Sequence, residues 1–344
     1  MSLLDLRSDT VSLPTDEMLR SIYSAKLGDD ILGEDPTVQE LEELGSNIFG
    51  KEAGMLTVSG TMSNQIAVMV STQRGQEVIL GKESHMYNLE NAALAALSQV
   101  QVRTIPSETG YFDPYEIEKA IQTPNIQTTS TGLICLENTY NLNQGLVMTV
   151  DNIREISKIA IKYGIPTFMD GARIFNAAEA SGIDVKEIVD SVDAVQVCLT
   201  KGLAAPLGSL LLGTKSFIKE ARRVRQRLGG GMRQAGIIAA PGIIALNKMR
   251  FRLWEDHEHA RLLAEGLKNL HEHLVDLQKV QTNIVCVDIT PFGIESDEFL
   301  RRMLEQGIKL KKIGPQQFRM VLYYQISKTD IERIIESFKI ALQL

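Results

Sequence analysis

Val195-Gln196-Val197-Cys198-Leu199-Thr200-Lys201-Gly202-Leu203 is an apolar run of strand length that breaks at a lysine and a glycine. Such a run, bounded by turn chemistry, reads as a strand covered on both faces, as in parallel sheets flanked by helices. Lys201 then stands at the carboxyl edge of the sheet, where open α/β folds receive their ligands. A lysine in a low-dielectric crevice has its ammonium disfavoured and its amine freed for Schiff-base chemistry. Read alone, the same lysine is far more often a solvated surface charge.

A second run, Ile165-Pro166-Thr167-Phe168-Met169-Asp170, ends in a carboxylate and is followed by Gly171-Ala172-Arg173. If the two strands share a sheet, Asp170 and Lys201 face one rim. A lysine to hold an aldehyde and an acid to keep a ring nitrogen protonated is the pair that pyridoxal phosphate requires; a structural ion pair is the alternative.

Outward from these strands the chain alternates. Strands are expected over 55–58, 78–80, 100–105, 133–136 and 209–212, with helices over 63–71 and 150–160 between them. This pattern predicts an α/β fold with a large, mostly parallel sheet flanked by helices. Thr15 and Asp35-Pro36 have the chemistry of helix starts. Ser59-Gly60-Thr61, between a strand and a helix, would make an anion cradle, because a helix N-terminus leaves several N–H groups unsatisfied. Ser84-His85-Met86-Tyr87 follows the strand at 78–80, and His85 is the only histidine in the first 250 residues. Beyond residue 213 come a helix over 214–227, the break Gly229-Gly230-Gly231, and Arg233, whose guanidinium suits a phosphate. From about residue 250 a long helix, short strands near 283–289, 308–311 and 318–322, and helices over 298–305 and from 329 form a smaller α+β unit. The expected division is an N-terminal arm and large domain over 1–249 and a small C-terminal domain over 250–344.

Composition excludes several classes. Hydrophobic content of 44% and charged content of 23% carry no disorder signature. A net charge of -7 opposes nucleic-acid binding, which needs clustered positive charge; the basic run over 219–227 reads as a solvated or subunit-contact face. Cys135, Cys198 and Cys286 sit in apolar runs and read as small buried hydrophobes. His257, His259, His271 and His273 form two His-x-His pairs, but residues two apart on a helix point about 200° apart and cannot chelate, so no metal is expected. No leader pattern and no apolar stretch of membrane-spanning length is present, and a soluble, cytoplasmic protein with no membrane partner is expected.

Taken in order, Leu6-Arg7-Ser8-Asp9-Thr10-Val11, Gly28-Asp29-Asp30, Gly33-Glu34-Asp35-Pro36-Thr37, Ser59-Gly60-Thr61-Met62, Ser84-His85, Asp170-Gly171-Ala172-Arg173, Lys201-Gly202-Leu203 and the glycine-rich stretch 229–236 resemble the threonine aldolase family of fold-type-I pyridoxal-phosphate enzymes. The resemblance runs nearly end to end. It implies that Lys201 bonds the aldehyde of pyridoxal 5'-phosphate, that Asp170 pairs with the pyridinium nitrogen, and that His85 stacks on the ring near the substrate hydroxyl. It implies phosphate contacts from Gly60 and Thr61, helped by Arg233 of a neighbouring subunit. It places Ser8, Arg173 and Arg319 on the substrate carboxylate, with Tyr87 and Tyr140 as further substrate contacts. The implied activity is retro-aldol cleavage of threonine or allo-threonine to glycine and an aldehyde, by a homotetramer with shared active sites.

Three positions depart from the family pattern. Tyr140 stands where a histidine is usual in Glu137-Asn138-Thr139-Tyr140-Asn141, Leu32 where a tyrosine is usual, and Leu322-Tyr323 where a Thr-His pair is usual. A phenol with a pKa of about 10 is a poorer base at neutral pH than an imidazole near about 6.5. Other Cα chemistry on the same scaffold (β-elimination, racemisation or transamination) and a non-catalytic relative therefore stay open as alternatives.

Overall fold

A computed structural model describes residues 3–107 and 110–344. Its strands are β1 (Leu4–Asp5), β2 (Ala53–Thr57), β3 (Glu77–Gly81), β4 (Gln101–Ile105), β5 (Thr131–Glu137), β6 (Thr167–Asp170), β7 (Ala194–Cys198), β8 (Ser209–Gly213), β9 (Ile284–Asp288), β10 (Ile308–Lys309), β11 (Lys311–Lys312) and β12 (Gln317–Val321). Seven of them form one sheet in the order β2-β8-β7-β6-β5-β3-β4. β3, β4, β5, β6 and β7 pair in parallel, and β8 runs antiparallel to both of its neighbours. The strands from β5 to β8 are buried at every residue, which is why their sequences are continuous apolar runs without alternation.

The reversed strand matters for the site. Because β8 is antiparallel to β7 and β2 is antiparallel to β8, β2 runs in the same sense as β7. The carboxyl ends of β2, β3, β5, β6 and β7 therefore open on one edge, and the start of β8 returns to it. The cap chemistry seen in the sequence is realised: Thr15 accepts from Met18 N at 3.2 Å, and Asp35 accepts from Thr37 N and Val38 N, both at 3.1 Å, with Pro36 in the first turn. Ser59 caps the helix Gly60–Ser71 through Met62 N.

A second core lies at the other end of the chain, built on the antiparallel sheet β11-β12-β9 and the helices Leu253–Leu270, Ser296–Glu305 and Lys328–Leu342. Leu4 and Leu6 belong to this core, β1 pairs with β10, and Val321 N donates to Leu6 O at 2.9 Å. The first strand of the arm thus packs with the C-terminal unit, although the expected division at 249/250 counts it with the large domain. After β1 the arm crosses to the large sheet, where Ser12 Oγ donates to Lys201 O at 2.7 Å. No helix among the described residues is long and apolar enough to cross a membrane.

The basic helix Lys215–Arg227 is less solvated than its sequence suggests. Arg225 is buried and bonds Asp30 Oδ2 and Leu56 O, both at 2.7 Å, and Arg222 pairs with Glu42. Arg225 fastens the 28–35 loop and β2 to this helix, and Arg222, which also donates to Gly54 O, ties β2 and the helix Pro36–Phe49 to it.

At the end of β3, Gly81 makes room for Tyr140. A methyl at 81 would overlap the Tyr140 hydroxyl and stand 2.9 Å from Phe112 Cζ. Gly81→Ala should destabilise the fold by about 1–3 kcal/mol, read as a lower midpoint in urea with an unchanged slope.

Candidate active site

The carboxyl edge encloses a cleft lined by Ser59, Gly60, Thr61, Asn64, His85, Glu137, Asn141, Asp170, Arg173, Gln196, Cys198, Thr200 and Lys201, with Leu207 and Gly208 from the start of β8. Lys201 and Asp170 therefore line one cavity, each just past or at the end of its own strand. Lys201 sits in the β7–β8 connection with φ +61°. A side-chain-bearing residue in this left-handed region costs on the order of 1–3 kcal/mol and marks a place where the surrounding fold overrides local preference. The turn is held by Ala204 N donating to Lys201 O at 2.9 Å and Leu199 N to Gly208 O at 3.1 Å. Lys201 Nζ lies 3.5 Å from Cys198 Sγ, so this cysteine borders the amine and is more than the core filler its sequence context suggests.

Asp170 is buried and has amide donors on both oxygens. Asn64 Nδ2 donates to Oδ2 at 2.8 Å, while Gln196 Nε2 and Ala172 N donate to Oδ1. Side-chain amides satisfy the carboxylate without neutralising it, which keeps a negative charge available. Two further acids surround it. Glu90 accepts from Asn64 Nδ2 at 2.7 Å and Gln65 Nε2 at 2.8 Å, and its Oε1 lies 2.9 Å from His85 Nδ1. Glu137 pairs in register with Asp170 across β5 and β6, and accepts the backbone N–H groups of His85 at 2.7 Å and Asn141 at 2.9 Å. Burial and the charge of Asp170 push the Glu137 carboxyl well above the usual carboxylate range. Burial pulls the His85 pKa down, but the hydrogen bond to Glu90 and the charges of Asp170, Glu90 and Glu137 outweigh it and raise the net value above the ordinary one. Ligating atoms of His85, Glu90 and Asp170 lie within 4.8 Å of one another, and the His85–Glu90 and shared Asn64 bonds already tie the three together.

The far end of the cleft is cationic. Arg173 is buried, with Nε and Nη2 on the two oxygens of Asp9 at 2.8 and 2.6 Å and Nη1 on Asn141 Oδ1 at 3.0 Å. Arg319 Nη1 reaches the same Asn141 oxygen at 3.0 Å, and its buried Nε has no partner among the described residues. Burial and the like charge of Arg173 lower the Arg319 pKa. Asp9 is completely buried; burial pushes its carboxyl up, yet Arg173 and Lys201 prevail and hold it below the usual range.

Other expected contacts lie off the cleft lining. Ser8 Oγ accepts from Thr10 N at 3.3 Å and caps the short turn that carries Asp9. Tyr87 is half exposed on the short helix His85–Asn88. Arg233 is exposed and pairs with Asp29 at 2.9 Å. Tyr140 is a correction: its side chain is fully buried, edge-on to Phe112, with its hydroxyl 2.7 Å from Ser107 Oγ. It faces the core beside Gly81, and burial pushes its phenol pKa up, so it is no substitute base in the cleft. Tyr323 likewise turns away, donating to Asp5 O at 3.0 Å, and Leu32 is exposed on the 28–35 loop. None of Leu32, Tyr140 and Tyr323 is among the residues that line this cleft. Asp9, Asn64, Glu90, Glu137, Asn141 and Gln196 escaped the sequence reading. Only Glu137 carried a visible signal, an acid closing a strand as Asp170 does.

A mostly parallel seven-stranded sheet with an amine, a buried acid and a helix N-terminus on one edge is the arrangement of the fold-type-I class, and the family model for Beta-eliminating lyase matches residues 5–290. Low-specificity L-threonine aldolase 1 of Arabidopsis thaliana is 41% identical over 99% of this chain and 97% of its own. The low specificity L-threonine aldolase of Escherichia coli K12 is 36% identical over 96% and 97%. The solved threonine aldolase of Leishmania major, at 18% identity, superposes with a TM-score of 0.85 over 98% of this chain and 99% of that one and shares the fold. The chain belongs to the threonine aldolase family.

Proposed function

We propose that this protein cleaves L-threonine or L-allo-threonine to glycine and acetaldehyde, with pyridoxal 5'-phosphate held in the cleft. The observation that carries the reading is the lining of one cavity by Lys201, Asp170, His85 and the Gly60 helix start, with Arg173 and Arg319 at its far end.

The residues present fit the cofactor. Gly60 leaves open a space that a Cβ would fill, 2.8 Å from Cys198 Sγ, at the N-terminus of a twelve-residue helix whose free N–H groups suit a phosphate. Thr61 would add its hydroxyl there, and Arg233 of a neighbouring copy its guanidinium. Lys201 would hold the aldehyde carbon, and Asp170, fixed in place by its amide donors, would hold the proton on the ring nitrogen. When bound, pyridoxal phosphate supplies the electron sink for the bond broken at Cα.

The chain's own groups do the rest. Arg173 and Arg319, with the Ser8 turn behind them, fix the substrate carboxylate and hence which Cα bond is aligned for cleavage. His85, its Nδ1 engaged by Glu90, presents Nε2 as the base for the β-hydroxyl proton. Tyr87, two residues beyond His85 on the same short helix, would be a further substrate contact. Incubation of the cofactor-loaded protein with threonine should yield glycine and acetaldehyde in equal amounts. Formation of 2-oxobutanoate and ammonia would show elimination, and overturn the retro-aldol reading.

The proton acceptor is neutral imidazole, so activity should be lost as pH falls and should rise through an apparent pKa above the ordinary value of about 6.5. His85→Phe keeps a ring against the cofactor, should remove that acid limb, and should lower kcat on the order of 100-fold.

The same reading extends to the assembly. A homotetramer with shared sites accounts for an Arg233 that points away from its own cleft and for the exposed Leu13, Leu27, Leu32 and Ile237. The division into an N-terminal arm and large unit over 1–249 and a small unit over 250–344 is supported by the two separate cores, with Leu4 and Leu6 of the arm packed into the small one. Three unpaired cysteines are compatible with the cytoplasm.

A further inference from the structure

We propose that Asn141 sets the charge of the carboxylate pocket: by meeting two arginines with a neutral oxygen, it leaves one positive charge for the single carboxylate of the substrate to neutralise. This inference rests on the reading of Arg173 and Arg319 as carboxylate ligands. Asn141 is a positioning residue, acting through those two side chains.

Asn141 Oδ1 accepts from Arg173 Nη1 and from Arg319 Nη1, each at 3.0 Å. Two guanidinium donors converging on one buried oxygen is a site where a carboxylate is the expected partner, since charge-assisted pairs are the stronger ones. The chain supplies an amide instead. Of the two guanidiniums, only Arg173 makes an ion pair among the described residues, with Asp9, whose two oxygens it engages; Arg319 feels the Asp9 charge without contacting it. Among the described residues Arg319 has backbone and amide acceptors only, Arg7 O at 3.4 Å and Asn141 Oδ1, and its buried Nε has no partner there.

The other charged groups nearby do not cancel the excess. Lys311 lies opposite Arg319 in the β11–β12 register but is exposed at the rim. Glu137 accepts from the backbone of His85 and of Asn141 itself, which fixes the amide in place between the arginines, and burial and the charge of Asp170 hold its carboxyl well above the usual range, so it supplies at most part of a counter-charge. A buried charge without a counter-ion is costly to the folded protein, and such deficits are kept where a ligand removes them. One unpaired cation at the end of a cleft whose lysine would hold an amine-reactive aldehyde selects an α-amino monocarboxylate. An amine without the carboxylate would leave Arg319 unmatched.

The test is Asn141→Asp, nearly the same shape with one more negative charge. Glycine and 1-amino-2-propanol, threonine without its carboxylate, are each titrated into cofactor-loaded enzyme and followed by the visible cofactor band. Wild type should bind glycine far more tightly than the amino alcohol. Asn141→Asp should weaken glycine on the order of 100-fold, the scale of a like charge set against a buried anion, and leave the amino alcohol within a few-fold. With threonine, KM should rise by a similar factor and kcat change little. Asn141→Ala, which adds no charge, should keep most of the discrimination and serves if the aspartate variant fails to fold. If wild type discriminates and Asn141→Asp does so equally well, or weakens both ligands alike, the role given to Asn141 is wrong. If wild type itself binds both ligands equally, the arginine pair is not the carboxylate site.

Discussion

Lys201→Ala is expected to lose threonine cleavage by a factor on the order of 1,000 or more, the scale on which removing a covalent catalytic group acts. Wild type treated with borohydride in the presence of pyridoxal phosphate should carry the reduced cofactor on the peptide containing residue 201, and the variant should carry none there. The fold should survive. The side chain's one polar contact is Cys198 Sγ at 3.5 Å, while the turn is held by the backbone oxygen of residue 201, which accepts from Ser12 and Ala204. Retention of turnover, or a reduced adduct on another lysine of the wild type, would remove Lys201 from the centre of the chemistry.

Asp170→Asn should lower kcat by about 100- to 1,000-fold, comparable to removing one preorganised charge partner of a reacting group. An amide cannot hold a proton on the ring nitrogen by charge, and its NH2 would face either Asn64 Nδ2 or Gln196 Nε2, both donors to the present carboxylate. A second readout comes from the neighbours. The Asp170 charge helps to raise both the His85 imidazole and the Glu137 carboxyl, so both should titrate at lower pH in the variant. The acid limb of the pH–activity profile should move down with them. A variant with wild-type kcat and an unmoved limb would show that this carboxylate does not face the reacting ring.

The two substitutions differ in how much of their rationale was visible in contiguous residues. Lys201 and Asp170 each stand where an apolar run meets turn chemistry, and strand-end placement in an α/β protein is a local inference. The groups that tune them were hidden. Asn64 meets Asp170 across 106 positions, and Asp9 meets Arg173 across 164. An Asn in a helix or an Asp in a short arm has many ordinary uses, and nothing in its neighbours names its partner. Tyr140 shows the converse. It occupies a position that the family resemblance associates with the substrate, but the missing side chain at Gly81 opens a core niche for its ring, and Ser107 satisfies its hydroxyl there. Cys198 was taken for a core residue because its strand is apolar throughout; as the last residue of β7 it reaches the rim, beside the amine.

The sequence by itself determined the alternation of strands and helices, the helix caps, and the arrival of Ser59-Gly60-Thr61, His85, Asp170 and Lys201 at strand or helix ends. Those features follow from sterics, periodicity and hydrogen bonding within a few consecutive residues. Tertiary structure alone decided that β8 runs backwards, which returns β2 to the common edge, and that the arm crosses from the small core to deliver Asp9 beneath Arg173. It alone decided that one amide oxygen at residue 141 would meet Arg173 of the large unit and Arg319 of the small one. These depend on which distant surfaces pack together, and the net charge of the cleft is a property of that packing.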